Sequence, residues 1–355
     1  MNASSLTAAL KDESLRLGFD LVGATAAGEP PDVDLLDQWV ADGCPGEMRY
    51  FADRLDAYRH PDRVLPGAKS VLMLGMNYRT VEPVPLAQGG DRPSRHARVS
   101  RYAWGQDYHE LMRSRLHQLA DFHRQLVPGG QVRGVVDTAP LLERRFGQLA
   151  GLGWIGRNAL LINERFGSWF FLAALLTTEE LAYDPPAVDR CGSCRACLDA
   201  CPTGALGGDC PDLCVSKNGT VPFDGGRDAG CQPAGKTTDE AGCQPGPRYR
   251  IDARKCLSYL TVESRGPLPA GFRAVSGGRL FGCDACQEAC PWNRDTPPSR
   301  ESAFQPGPGM NPVDLDELVQ LDEAAFRRRF RHTSLWRAGR EGILRNASGV
   351  PHLTP

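Results

Sequence analysis

Residues 191–202 read C-G-S-C-R-A-C-L-D-A-C-P. Their spacing, C-x2-C-x2-C-x3-C followed by proline, is typical of proteins that hold cubane [4Fe–4S] clusters through cysteine thiolates. In this arrangement the first three thiolates bind one cluster, and the fourth, Cys201, is directed at a second cluster. The run therefore predicts a partner run elsewhere in the chain.

The partner run is C-D-A-C-Q-E-A-C-P, which carries Cys283, Cys286 and Cys290 and also closes on proline. Two four-iron clusters need eight thiolates, and the two runs supply seven of them. The remaining cysteines are Cys44, Cys210, Cys214, Cys231, Cys243 and Cys256. Spacing alone does not show which of them is the eighth ligand. Cys256 begins the apolar segment CLSYLTV, whereas the cysteines at 210, 214, 231 and 243 lie among Gly, Pro and Asp. The alternatives are a zinc site, whose cysteine runs rarely have this spacing, and a disulfide framework, which is disfavoured because the chain carries no export signal.

The composition is that of an ordinary soluble protein. The chain has 355 residues, 41% hydrophobic residues and a formal net charge of −2, which gives no sign of a general polyanion binder. Residues 1–20 lack the basic start and apolar run of a secretory signal. The longest apolar run, residues 169–176, is too short to span a bilayer. We expect a cytoplasmic protein with reduced thiols and no membrane contact.

Apolar periodicity divides the chain into three parts. Helical and strand patterns alternate through residues 1–184, which predicts an α/β or α+β first domain. Residues 185–300 form the predicted two-cluster domain, and residues 207–247 form a Gly-, Pro- and Asp-rich surface insertion with four extra cysteines. Residues 301–355 are predicted as a small helical C-terminal tail. The fold class is α+β.

Asp137 ends an apolar strand, in V-V-D-T-A-P, immediately before a predicted helix. On spacing alone the favoured interpretation is a helix N-cap, because Asp before T-A-P-L-L-E starts a helix well. The alternative is a partly buried carboxyl with a raised pKa, which suits a general acid.

Three further patterns leave their roles open. The turn G-L-G-W-I-G-R-N at residues 151–158 follows a helix and precedes a strand, the reverse of a dinucleotide-binding fingerprint, so it indicates either a flat ligand or a plain turn but no nicotinamide. His109 stands in D-Y-H, but Met112 replaces the glycine of the corrinoid signature D-x-H-x-x-G, which favours a structural role for His109. Seven arginines between residues 327 and 345 form a basic patch that is compatible with RNA contact.

Taken together, these segments resemble the epoxyqueuosine reductases, cobalamin-dependent enzymes that complete queuosine in tRNA. The matching pieces are L-P-G-A-K-S at 65–70, Y-A-W-G-Q-D-Y-H at 102–109, V-D-T-A-P at 136–140, residues 151–158, the two cysteine runs, and residues 340–346. The resemblance implies an α/β cobalamin-binding domain fused to a bacterial-ferredoxin-like module with two [4Fe–4S] clusters.

The resemblance also implies roles for individual residues. The first cluster would be held by Cys191, Cys194, Cys197 and Cys290, and the second by Cys201, Cys256, Cys283 and Cys286. Asp137 would be the proton donor and a cobalamin neighbour, with further cobalamin contacts at Asn158, Ser168, Ser258 and Asp284. Arg265 would contact tRNA. The family's cobalamin-contacting arginine falls on Tyr58, so Arg59 beside it is a candidate for that contact.

The function implied is a two-electron deoxygenation of epoxyqueuosine to queuosine at the wobble position of tRNA. A tRNA anticodon stem-loop would be the substrate, base-off cobalamin the reactive cofactor, and a ferredoxin or flavodoxin the electron donor to a monomeric enzyme. Two alternatives remain: a corrinoid reductase of a small molecule, similar to a dehalogenase, and an electron-transfer protein without a corrinoid.

Overall fold

A computed structural model describes residues 1–86, 96–207 and 250–350. The predicted insertion, with Cys210, Cys214, Cys231 and Cys243, lies outside the described residues except for Gly207. The strands are β1 (Leu21–Ala26), β2 (Ser70–Asn77), β3 (His96–Val99), β4 (Val132–Val135), β5 (Trp154–Ile155), β6 (Leu161–Ile162), β7 (Phe170–Thr177), β8 (Leu206–Gly207), β9 (Arg250–Ile251), β10 (Arg279–Phe281) and β11 (Val313–Asp314).

The helices are α1 (Ala3–Arg16), α2 (Asp34–Ala41), α3 (Tyr50–Asp53), α4 (Leu55–Arg59), α5 (Tyr108–Leu126), α6 (Glu143–Leu149), α7 (Ala196–Asp199), α8 (Leu257–Val262), α9 (Phe272–Val275), α10 (Ala285–Glu288), α11 (Leu315–Gln320), α12 (Glu323–Phe330) and α13 (Gly339–Ser348). None of the described helices is long and apolar enough to cross a membrane.

The central sheet has four strands in the order β1-β2-β7-β4, and every neighbouring pair is antiparallel. Strand β2 is buried along its whole length, because side chains that alternate across a strand meet helices on both faces of the sheet. Leu72, Leu74 and Met76 face α1 and α5, whereas Val71 and Met73 face α6 and the loops around it. Antiparallel pairing decides between the two predicted options and confirms the α+β class.

A second sheet joins three distant segments of the chain. Strand β3 lies between β10, which is parallel to it, and β11, which is antiparallel. Helices α11, α12 and α13 bury Leu318, Phe326, Phe330 and Ile343 in the core around this sheet. The C-terminal segment is helical, as predicted, and its core is continuous with residues 97–104 and 280–281. The domain boundaries at residues 184 and 300 stay a prediction.

Candidate active site and iron–sulfur centres

The fold gathers the eight predicted thiols into two sets. The electrostatic neighbours of Cys197 are Cys191, Cys194 and Cys290, and each of these thiols adds to the burial that raises the pKa of Cys197 to about 11. The neighbours of Cys286 are Cys283, Cys256 and Cys201, and burial together with these thiols raises the pKa of Cys286. Cys201, the last cysteine of the first run, therefore lies in the second set, and Cys290, the last cysteine of the second run, lies in the first set.

The two runs cross over because the last cysteine of each, Cys201 or Cys290, follows a short helix, whereas the earlier cysteines of the run lie before or within that helix. Helices α7 and α10 follow Arg195 and Asp284, and they pack against each other, so the last thiol of each run reaches the other set. Cys194 is exposed, whereas Cys197 and Cys290 are buried. Among the described residues no group of three or more His, Cys, Asp or Glu side chains is arranged to hold a single metal ion.

The glycine-rich turn supports the first thiol set. Gly153 lies in the hairpin formed by β5 and β6, where a Cβ would come within 2.1 Å of the Ile162 carbonyl oxygen. The close approach positions Trp154, whose Nε1 donates to Cys191 Sγ over 3.4 Å and whose ring meets Trp292 edge to face. The glycine is therefore required by backbone packing at this point.

Asp137 lies between α5 and α6 beside Tyr108, His109 and Glu143, and we call the surroundings of this carboxyl the recess. Its backbone is left-handed, with φ of 53°, and helix α6 begins only at Glu143, so the N-cap prediction is wrong. The Asp137 Oδ2 atom accepts a hydrogen bond from the Tyr108 hydroxyl at 3.1 Å and lies 3.3 Å from His109 Nε2. The backbone N–H of Asp137 donates to Glu143 Oε1 at 2.8 Å. The carboxyl side chain stays 46% exposed, so a substrate can reach it.

Opposing effects set the charge of these groups. Loss of water around Asp137 raises its pKa, but the hydrogen bonds from His109 and Tyr108 and the positive charge of His109 outweigh it, so the pKa of Asp137 is lowered. Burial lowers the pKa of His109, yet the hydrogen bonds to Asp107 and Asp137 raise that pKa overall to about 9. Burial raises the pKa of Glu143 to about 8, with a smaller contribution from Asp137. The expectation of a raised pKa at Asp137 is therefore corrected, because His109 is charged beside it.

Sequence reasoning missed three members of this recess. His109 was expected to be structural, and Tyr108 and Glu143 were not singled out. The available signal was the D-Y-H tripeptide: Asp107 caps the first turn of α5 and also holds His109 Nδ1 at 2.7 Å. Tyr108 stacks on Phe171 of β7 with ring centroids 4.0 Å apart, which fixes its hydroxyl toward Asp137.

The predicted cobalamin contacts are buried or half-buried, and they come from separate segments of the chain. Asn158 is 3% exposed, and its Nδ2 atom has no hydrogen-bond partner among the described residues. Asp284 is buried and accepts from the Arg101 backbone N–H at 2.8 Å. Ser258 is half-buried on α8, two residues after Cys256. An unpartnered buried amide donor fits a ligand rich in amide oxygens, and a corrin ring with its amide side chains is such a ligand.

Ser168 belongs to a buried amide network. Asn293 accepts from the Ser168 backbone N–H at 2.6 Å and donates through Nδ2 to Ser168 Oγ at 3.0 Å and to the Gln287 carbonyl at 2.7 Å. Gln287 Nε2 in turn donates to the Ser168 carbonyl at 2.9 Å and to the Tyr78 hydroxyl at 3.0 Å. The network attaches the second cysteine run to Tyr78, which follows β2, and to the segment that precedes β7.

Arg59 lies away from Asp137. It forms ion pairs with Asp34, at 3.2 Å, and with Asp37. Tyr58 is buried instead, and the charges of Glu143 and Asp137 contribute to the raised pKa of its hydroxyl, after burial itself. The structure thus brings Tyr58, and not Arg59, to the recess.

Arg265 and several arginines of the basic patch serve the fold as well as the surface. Arg265 is exposed and donates to the Arg337 carbonyl at 2.8 Å. Arg345 donates to the carbonyls of three residues in the segment 260–266. Arg337 pairs with Glu263 at 2.9 Å, and Arg340 donates to a backbone carbonyl. The patch is therefore partly internal, which reduces its value as evidence for RNA contact.

Two family models match the chain. Residues 59–138 match the model described as "Epoxyqueuosine reductase QueG, DUF1730", and residues 240–293 match a 4Fe-4S double cluster binding domain. The first match includes Asp137, and the second includes Cys256 and the whole second cysteine run.

Curated and solved proteins give the same picture. The epoxyqueuosine reductase of Pseudomonas aeruginosa is 38% identical over 349 residues, which cover 96% of this chain and 83% of that protein. A crystal structure of epoxyqueuosine reductase with an epoxyqueuosine-modified tRNA-Tyr stem loop is 28% identical, with a TM-score of 0.78 over 98% of this chain and 81% of that one. The Bacillus subtilis enzyme, solved with its catalytic aspartate loop swung out of the active site, is 27% identical, with a TM-score of 0.77 over 98% and 81% of the two chains.

Proposed function

The chain belongs to the epoxyqueuosine reductase family, and on that premise we propose how its residues carry out the reductive deoxygenation of epoxyqueuosine in tRNA. The observation that carries the proposal is the recess around Asp137. An accessible carboxylate there is held by a tyrosine hydroxyl and a charged histidine, in the same chain as two sets of four thiols.

We propose two [4Fe–4S] clusters, which the match to a 4Fe-4S double cluster binding domain supports, and base-off cobalamin as the cofactors. We assign the first cluster to Cys191, Cys194, Cys197 and Cys290, and the second to Cys201, Cys256, Cys283 and Cys286. The grouping of the thiols supports this assignment, because each set contains three cysteines of one region and one from the other run. Electrons would enter at the first cluster, because Cys194 of its thiol set is exposed.

Bound cobalamin supplies the low-potential cobalt centre through which two electrons reach the substrate. Asn158, Ser168, Ser258 and Asp284 are the residues proposed to hold it. Asn158 supports this proposal best, because a buried amide without a partner is costly unless a ligand satisfies it. We propose Tyr58 rather than Arg59 for the remaining contact, because Tyr58 lies near Asp137 and Glu143 whereas Arg59 is paired with Asp34 and Asp37.

Asp137 delivers protons to the oxygen that leaves the substrate. An alkoxide is a poor leaving group, and a positioned general acid contributes about 10²–10⁴-fold in rate. The left-handed backbone of Asp137 and its hydrogen bond to Glu143 hold the carboxyl at the mouth of the recess. A base in a single-stranded anticodon loop can splay out into such a recess.

The partners follow from this chemistry. The substrate is a tRNA anticodon stem-loop, and Arg265 is proposed as a phosphate contact because its side chain is exposed. A ferredoxin or flavodoxin would donate electrons one at a time. We propose a monomer that acts in the cytoplasm, where tRNA and reduced thiols occur together.

The test is anaerobic turnover of the cluster-loaded chain with epoxyqueuosine-containing tRNA, cobalamin and a low-potential reductant. Mass spectrometry of the digested nucleosides is expected to show the loss of one oxygen atom, dependent on cobalamin and abolished or strongly slowed in Asp137→Asn. Asp121→Asn, on the exposed side of α5, is the matched control. Wild-type protein that binds both cofactors and leaves the epoxide intact would refute the tRNA assignment in favour of a small-molecule reductase.

A further inference from the structure

The stoichiometry of the reaction requires more than Asp137. Converting an epoxide to an alkene and water consumes two electrons and two protons. A single carboxyl holds one proton at a time, and Asp137 is ionised at neutral pH because its pKa is lowered. Some other group must therefore load Asp137 twice in each turnover.

The N-terminus of α5 provides such a group. Asp107 Oδ1 lies 2.7 Å from His109 Nδ1, and His109 Nε2 lies 3.3 Å from Asp137 Oδ2. The ring therefore bridges two carboxylates through its two nitrogens. Its side chain is 18% exposed, compared with 46% for Asp137, so the ring lies behind the carboxyl and still contacts solvent. Stacking on Tyr108, with ring centroids 4.1 Å apart, holds the plane of the imidazole.

The surrounding charges keep His109 protonated. The groups that act on it, or on the two carboxylates it bridges, are Asp107, Asp137, Glu143, Arg113, Arg337, Tyr50, Tyr58 and Tyr108. Burial lowers the pKa of His109, but the hydrogen bonds to the two aspartates raise it to about 9, while Glu143 is a neutral acid near pH 7. Two donors reach Asp137 Oδ2, the Tyr108 hydroxyl at 3.1 Å and His109 Nε2 at 3.3 Å, and burial raises the pKa of Tyr108 further, so the imidazolium is the proton source.

We propose that His109, oriented by Asp107, is the positioning residue that loads Asp137 with each of the two protons consumed by the reaction. In the first transfer the Nε2 proton moves to Asp137 Oδ2 and from there to the oxygen of the opening epoxide. The Nδ1 proton of the imidazole stays on the ring, hydrogen-bonded to Asp107, and Nε2 takes a new proton from solvent. The second transfer follows the same path and releases the oxygen as water, with both electrons coming from the external donor. This inference rests on the proposed function.

The test compares His109→Gln and Asp107→Asn with His117→Gln, an exposed histidine on the same helix. In His109→Gln we expect kcat to fall about 10²–10⁴-fold, with the KM for tRNA nearly unchanged, because glutamine keeps a donor but cannot carry the proton. Wild-type kcat is expected to fall as pH rises through about 9, and this alkaline limb should be absent in His109→Gln. In Asp107→Asn the limb should move to lower pH.

A second measurement separates this inference from the proposed function. Nitrogen-15 NMR of the ring in the cluster-loaded chain without cobalamin should show His109 titrating near pH 9 in wild type and at lower pH in Asp137→Asn and Asp107→Asn. The relay is refuted if His109→Gln retains kcat and the alkaline limb, as His117→Gln should, or if His109 titrates at its ordinary pKa. If wild type fails to turn over tRNA, the proposed function is refuted, and the NMR titration still decides whether His109 shares its proton with Asp137. A His109→Gln protein that fails to load its clusters leaves the decision to Asp107→Asn and the titration.

Discussion

Replacing Glu143 by glutamine tests the charge state of the recess without removing a hydrogen bond. Glu143 Oε1 accepts from the Asp137 backbone N–H, and the amide oxygen of glutamine can accept the same bond. Burial raises the pKa of Glu143 from its ordinary value of 4.5 to about 8, so the carboxyl is neutral in the folded protein where it is already ionised in the unfolded chain. The native state therefore binds one more proton than the unfolded state between these two values.

The sign and size of the effect follow from linkage. The stability that Glu143 contributes is fully present below about pH 4.5 and is lost as pH rises through about 8. At about 1.4 kcal/mol per pKa unit, and allowing for partial solvent contact, the loss is about 3–5 kcal/mol. Unfolding entropy of about 2.1 cal/mol/K per residue converts this to about 4–7 °C for a chain of this length.

The assay is an anaerobic thermal melt of the cluster-loaded protein between pH 5 and pH 8.5, at one scan rate. We expect the Tm of Glu143→Gln, relative to wild type, to rise by about 4–7 °C across this interval, because the variant has no carboxyl to ionise. Glu180→Gln, at an exposed position after β7, should follow wild type at every pH. Parallel curves for Glu143→Gln and wild type would refute the buried neutral carboxyl.

Three other perturbations have defined outcomes. Asn293→Leu removes the hydrogen bonds of the Asn293 side chain to Ser168 and Gln287 and leaves the Ser168 N–H and the Gln287 carbonyl unpaired. We expect a loss of about 2–4 kcal/mol, measured as a lower Tm, and an unchanged Tm would contradict the network. Cys286→Ser should reduce bound iron from about eight to about four atoms per chain by iron analysis, and retention of about eight would contradict its assignment as a ligand. Arg265→Glu should weaken tRNA binding and lower the salt dependence by about one counterion, with kcat at saturating tRNA unchanged; equal affinity would exclude the contact.

The sequence pattern was sufficient to predict elements that depend on interactions between residues close together in the chain. The apolar spacing of Leu111, Leu116 and Leu119 predicted α5, whose observed bounds, Tyr108–Leu126, agree with the pattern. The same periodicity could not order the strands, because pairing between β2 and β7 joins residues about 100 positions apart. The choice between the α/β and α+β classes therefore depended on the tertiary structure, which shows the antiparallel order β1-β2-β7-β4.

Asp137 shows the same limit at the scale of one residue. The segment D-T-A-P-L-L-E favours a helix N-cap at Asp137. In the structure Asp137 has a left-handed backbone and α6 begins only at Glu143, so Asp137 does not cap that helix. The resemblance to the family's motif made Asp137 the expected proton donor, which stays a proposal, and it did not indicate that His109 would lower the pKa of this carboxyl.

The sequence by itself determined the chemistry that the chain can hold: two cysteine runs whose spacing fits two cubane clusters, together with an acid in V-D-T-A-P. The spacing of the cluster ligands can be recognised in the sequence because three thiolates of a run bind within one or two turns of backbone. Only the tertiary structure decided which fourth thiol completes each set and which side chains set the charge of Asp137. These partners come from β-sheet, helix and loop segments far apart in the chain, and the electrostatic interactions between them depend on distance and burial, which sequence order does not specify.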